Sequence, residues 1–277
     1  MLDPRLNPYR RDIAAAHLRG QVEAALFVEG TVYEIIEPIA DVRREPAHEA
    51  PLDTQALKGD RVTVYELSEE GWAWGQLASD GYVGYLSANA LGPPGPKPTH
   101  RVIVPRTFGF PAANIKLPPM IALPMDAGIA IAKTVDNFAV DGFGWHYPLS
   151  HVAPLNTIED DFVAIAEMFL GVPYLWGGKS SLGIDCSGLV QLALNTAGHS
   201  CPRDSYMQER LLGAPVARED IRRGDLVFWK GHVAIARDSR TLIHANAHHM
   251  MVVVEPIAEA VSRIEAAGSD ITAIRRL

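Results

Sequence analysis

The chain has 277 residues, 48% hydrophobic and 21% charged, enough apolar material for two or three packed domains and too much for a disordered one. Its formal net charge is −8 and its isoelectric point lies near 5.7. That balance excludes the basic stripe a nucleic-acid binder needs to displace counterions, and it weighs against a coat for anionic membranes or polyanionic wall.

The N-terminus, MLDPRLNPYRRDIAAAHLRG, is broken by charges and prolines and holds no apolar run of signal-peptide length. No stretch approaches the ~20 apolar residues of a membrane span. The expectation is a cytoplasmic protein whose two cysteines, Cys186 and Cys201, are free thiols. Residues 1–27 read as a short helical lead-in, with Ile13, Ala14, Ala16, Leu18 and Val22 set around Arg11, Arg19 and Glu23. From Thr31 the pattern changes to short strands (VYEII, ADVR, RVTVYEL, WAWGQL, GYVGYL) separated by Gly, Pro and Asp, as in a small all-β barrel over residues 28–92. GPPGPKP (92–98) reads as a linker. A second strand-rich segment, 99–155, repeats the order of the first, each ending near an aromatic strand with glycine (DGYVGYL and DGFGWHY). Two duplicated barrels or one larger β-domain both fit. Over residues 156–277, Ile158, Phe162, Ile165, Ala166 and Phe169 fall at helical spacing, with Gly171 as terminator. A second helix is expected over 186–197, and strands follow at 225–229, 232–236, 241–245, 251–254 and 272–277. Helices first and an antiparallel sheet afterwards make an α+β domain.

Cys186 falls at the start of the 186–197 helix, where unpaired N–H groups and the dipole favour a thiolate. At that position alone, a nucleophile and a small buried apolar residue are equal readings. His232 opens HVAIA, and His244 sits in the next strand, TLIHA. With a three-residue loop, Arg237–Ser239, the two histidines lie directly opposite on one face, so that His232 takes the thiol proton and His244 orients it. Singly, each histidine is more simply a half-buried strand residue; together with Cys186 the catalytic reading prevails. A Cys–His–His set could also hold zinc. No HExxH, CxxC or HxxxH spacing is present, so no metal and no cofactor are expected. His248, His249 and Cys201 are expected to be solvent or loop residues without a chemical role.

In these residues the C-terminal domain resembles the NlpC/p60 family of cell-wall cysteine peptidases. The matching runs are PYLWGG (173–178), DCSGLV (185–190), PRDSYMQ (202–208), RRGDLVFW (222–229), HVAIA (232–236) and LIHA (242–245). The resemblance implies a papain-like catalytic domain behind two small all-β SH3-like barrels, with Cys186 as nucleophile, His232 as base and His244 as the third member. It places Tyr174 and Trp176 in the oxyanion and cleft region, and it assigns Arg203, Ser205 and Gln208 to the cleft lining. The layout looks like the γ-D-glutamyl-L-diamino acid dipeptidyl-peptidase branch, whose partner is a small muropeptide, L-Ala-γ-D-Glu-diamino acid, with a free N-terminal alanine. In that branch Asp185 and Ser187, with Glu45 and Tyr82 from the first barrel, would hold the ammonium group. The alternative is an endopeptidase or amidase acting on polymeric peptidoglycan, with the β-domains as wall-binding modules.

Overall fold

The structure, a computed structural model, describes residues 2–277, which divide into two units, 2–155 and 156–277. The lead-in is not an α-helix. Ile13–Ala15 is a strand paired in parallel with Leu26–Val28, and only Ala16–Leu18 makes a helical turn, of 3-10 type. Ile13, Ala14 and Ala15 are all buried. Successive residues buried on both sides suit an extended segment between two surfaces, whereas a surface helix would bury one face only.

Residues 31–92 form one antiparallel seven-stranded sheet. In spatial order its strands are Leu52–Leu57, Ile39–Arg43, Val83–Ser87, Trp72–Leu77, Arg61–Leu67, Thr31–Ile35 and Leu91–Gly92. Alternation sets the faces: Val62 and Val64 point inward from Arg61–Leu67 and meet Ile35, Val42, Leu77 and Leu86. Residues 100–154 make three smaller sheets around their own core of Val102, Leu123, Ile129, Ala139, Tyr147 and Val152. Two glycines allow the β-modules to meet through backbone. Gly59 has φ +88°, a Cβ there would lie 2.7 Å from the Gly128 carbonyl oxygen, and Gly128 N donates to Lys58 O at 2.8 Å. The linker is bolted down as well. Glu34 accepts from Gly95 N at 2.8 Å, while Arg61, paired with Glu34 at 3.0 Å, donates to Gly95 O at 2.6 Å.

The second unit is α+β. Its six-stranded antiparallel sheet runs Ala214–Pro215, Ile271–Arg276, Leu226–Trp229, His232–Ala236, Thr241–Asn246, Met251–Pro256. Helix α1 (Phe162–Glu167) begins at Asp161, whose carboxylate caps Val163 N and Ala164 N. Ile158, expected inside that helix, lies ahead of it and is exposed. Helix α2 (Cys186–Thr196) is buried almost all round, as a helix enclosed on every side must be. Helix α3 spans Ser205–Leu211. Helix α4 (Ile257–Ala266) contributes Ala260 and Val261 to a cluster with Val227, Trp229, Ala234 and Leu242 of the sheet.

Candidate active site

Everything at the head of α2 is organised by one carboxylate. Asp185 is the N-cap: Oδ1 accepts from Gly188 N at 2.7 Å, and Oδ2 accepts from Gly177 N at 2.8 Å. Arg203, 1% exposed, closes on it with both terminal nitrogens, Nη1 to Oδ1 at 2.9 Å and Nη2 to Oδ2 at 2.7 Å. Arg203 Nη1 also donates to Ser187 Oγ at 2.9 Å, and Gln208 Nε2 donates to Ser187 O and Pro202 O, both at 2.9 Å. Gly188 is required here, since a Cβ on it would collide with the Gly178 carbonyl oxygen. The segment PYLWGG is thereby tied to the first turn of α2.

Cys186 is the first residue of α2 and is buried. Its sulfur faces two backbone N–H groups, those of Val233 and Ser187, and Val233 directly follows His232. The thiolate expected from a helix N-terminus is not the resting state. Burial, then the neighbouring Asp185 carboxylate, push the thiol up to about 12, and the two N–H groups and Arg203 recover only part of that shift. The cap that starts the helix is also the charge that opposes the thiolate.

His232 Nε2 and His244 Nδ1 lie 2.9 Å apart. They reach this distance in a register other than the expected one. The observed pairs are Ile235↔Ile243 and Ala236↔Leu242, two residues away from direct opposition of the histidines. The loop is longer because Asp238 accepts from Arg240 N, Thr241 N and Thr241 Oγ1, turning the chain over residues 237–240. A shift of two keeps both side chains on one face, so the rings still meet, diagonally and beyond the last laddered pair. Trp229 packs against His232 with ring centroids 5.7 Å apart and the planes tilted by 37°. Burial, then the neighbouring His244 ring and the Arg263 guanidinium, lower His232 to about 3; burial lowers His244 as well. The site rests as a neutral thiol beside neutral imidazoles.

One further partner was invisible in the sequence. Glu255, from Met251–Pro256, lies 2.9 Å from His244 Nε2 through Oε2, and Arg263 of α4 grips both its oxygens at 3.1 and 2.6 Å. The hydrogen bond with His244, with Arg263 beside it, holds Glu255 down at about 2.

The other expected residues are placed as follows. Tyr174 is half-buried, its N–H donates to Met250 O at 2.9 Å, and burial followed by the neighbouring Cys186 raises its hydroxyl. Trp176 is exposed, and Ser205 is half-buried at the start of α3. Asp185 and Ser187 are brought together with Arg203, so the negative charge of Asp185 is already matched. In the first unit, Glu45 is exposed, whereas Tyr82 packs in the barrel core with Ile35, Val42 and Leu86. Cys201 is buried rather than solvent-facing, and His249 donates its backbone N–H to Asn246 Oδ1 at 2.8 Å. Among the described residues no three His, Cys, Asp or Glu side chains are grouped as a metal ion would require.

Residues 171–266 match the NlpC/P60 family, and residues 42–91 match the bacterial dipeptidyl-peptidase Sh3 domain. A γ-D-glutamyl-L-lysine dipeptidyl-peptidase of Bacillus subtilis is 31% identical over 197 residues, covering 64% of this chain and 64% of its own length. Its namesake from Bacillus cereus is 37% identical over 106 residues, 35% of this chain and 32% of that protein. The chain thus spans between about a third and two thirds of these relatives' length. In fold, it is similar to a crystal structure of an NlpC/P60 family protein from Bacillus cereus, with a TM-score of 0.75, 22% identity, and coverage of 89% of this chain and 99% of that one.

Proposed function

From a chain that carries an NlpC/P60 domain and a bacterial SH3 domain, we propose a cysteine peptidase that hydrolyses the γ-D-glutamyl–diamino acid bond of cell-wall-derived peptides with a free N-terminal L-Ala, releasing L-Ala-γ-D-Glu in peptidoglycan recycling. The observation that carries this reading is the 2.9 Å contact between His232 and His244 beside the residue whose N–H faces the Cys186 sulfur.

The chemistry follows from the resting charges. A neutral thiol and a neutral imidazole store no ion pair, so the proton moves from sulfur to His232 as the sulfur attacks the γ-glutamyl carbonyl. The imidazolium then gives that proton to the leaving amine, and water, activated by the freed His232, hydrolyses the thioester. The Cys186 N–H at the head of α2 and the Tyr174 hydroxyl are the groups assigned to the oxyanion, with Trp176 and Ser205 along the cleft. Asp185, Ser187, Arg203 and Gln208 build the floor beneath the nucleophile. Because Arg203 already neutralises Asp185, recognition of a substrate ammonium needs another carboxylate. Glu45 is the carboxylate assigned to that role, whereas Tyr82, expected beside it, is buried in the barrel core and is left a packing role; the second β-module is read as a second SH3-like barrel.

The test is a substrate panel: L-Ala-γ-D-Glu-meso-diaminopimelate, the L-lysine analogue, their N-acetylated forms, and intact sacculi. Cleavage confined to the free-amine peptides is the expected result. Release of material from sacculi would instead establish an enzyme of polymeric wall. Cys186→Ala should abolish turnover with an unchanged circular dichroism spectrum.

A further inference from the structure

With Nε2 of His232 engaged by His244, Nδ1 is the ring nitrogen left to accept a proton from Cys186, and it can do so only while bare. Nothing in a histidine pair alone guarantees this, because each neutral ring has two tautomers. The structure supplies the missing constraint at the far end. Glu255 is buried, and Arg263 donates to it through Nε and Nη2 at 3.1 and 2.6 Å. A carboxylate so paired is an acceptor only. The nitrogen 2.9 Å away, His244 Nε2, therefore carries a proton. Neutral His244 then has a bare Nδ1, so the proton in its 2.9 Å contact with His232 belongs to His232 Nε2. That leaves His232 Nδ1 as the lone pair.

We propose that Glu255, clamped by Arg263, is a positioning residue that fixes the direction of the whole proton chain, Nε2–H of His232 to Nδ1 of His244 and Nε2–H of His244 to the carboxylate. The inference rests on the reading of Cys186 as nucleophile and His232 as base. During attack the Cys186 S–H bond breaks, the sulfur forms its bond to the carbonyl carbon, and the proton joins His232 Nδ1. The resulting imidazolium points its Nε2–H along a line that ends on the Glu255 charge. With the tautomer of His244 reversed, His232 would have to accept at Nε2 and hold its proton on Nδ1, facing a thiol it could not deprotonate. The other charged and titratable neighbours of the pair are Arg263 from α4 and, for His244, His249 from the loop after its strand.

Ring-nitrogen NMR on ¹⁵N-histidine-labelled full-length protein reads the tautomers directly. Both His232 and His244 should be Nε2–H in the wild type near pH 7.5. A His244 carrying its proton on Nδ1 overturns the proposal, and this measurement needs no variant. In Glu255→Gln, Arg263 claims the amide oxygen and the amide N–H₂ faces His244, which should switch to Nδ1–H. kcat on L-Ala-γ-D-Glu-L-Lys should fall on the order of 100-fold with KM nearly unchanged, as expected for a base held in the wrong tautomer. A folded Glu255→Gln protein with wild-type kcat also overturns it. If the wild type cleaves no peptide, the functional reading fails separately. The tautomer spectrum and the rate of Cys186 alkylation by iodoacetamide, expected to be slower in Glu255→Gln, still decide this one.

Discussion

At the scale of single residues, the floor of the site depends on a buried ion pair more than on any apolar contact. Asp185 receives two backbone N–H groups and two guanidinium nitrogens, and Arg203 is 1% exposed. Arg203→Met removes the partner and leaves the carboxylate buried, which should cost about 3–5 kcal/mol. Urea unfolding followed by far-ultraviolet dichroism measures this, and an unchanged midpoint would show the pair to be dispensable. Cys186 was legible because a cysteine directly before SGLV begins an apolar helical pattern. His232 and His244 were legible because each opens or sits within an alternating strand. Glu255 was not legible. It is one of 33 acidic residues, and only the pairing Leu242↔Glu255 brings it beside His244.

Elements explain where local reading and structure part. Strand faces follow from alternation, so the histidines share a face whichever even shift the hairpin takes. The shift itself depends on the turn, and there Asp238 decides by accepting three hydrogen bonds. Asp238→Ala should therefore lower stability by about 1 kcal/mol, and it should lower kcat more than KM as the diagonal contact of the rings loosens. Steady-state kinetics beside thermal unfolding separates the two effects. The start of α2 is stricter. In Gly188→Ala the new methyl group meets the Gly178 carbonyl oxygen, which is backbone and cannot swing aside. The expected outcome is a loss of a few kcal/mol in stability together with loss of turnover. The lead-in was misread because alanine-rich sequence favours helix intrinsically, while burial of three successive residues selects a strand.

For the whole molecule, burial at the site should shape stability against pH. His232 falls from 6.5 to about 3 on folding, so the unfolded chain binds the extra proton and stability drops as pH falls from 6.5 toward 3. Glu255, held at about 2 against 4.5, adds a further loss below pH 4.5. Cys186, raised from 9.0 to about 12, makes stability fall again as pH rises past 9. Calorimetry should find a plateau between about pH 6.5 and 9; a transition temperature that climbs on acidification from 6.5 to 4 would contradict the assignment. The broad arrangement, β-modules ahead of an α+β domain, was readable from the spacing of strands, glycines and prolines. The strand expected at 272–277 is present as Ile271–Arg276, but its place in the sheet was not readable, because neighbours distant in sequence set it: the strand slots in beside Leu226–Trp229, between it and Ala214–Pro215. That insertion has a consequence for biosynthesis. On a ribosome making the chain from its N-terminus, the β-modules can close while the sheet behind the cysteine still lacks an interior strand. The sheet is therefore completed only once residues 271–276 are free of the ribosome and can pair beside Leu226–Trp229.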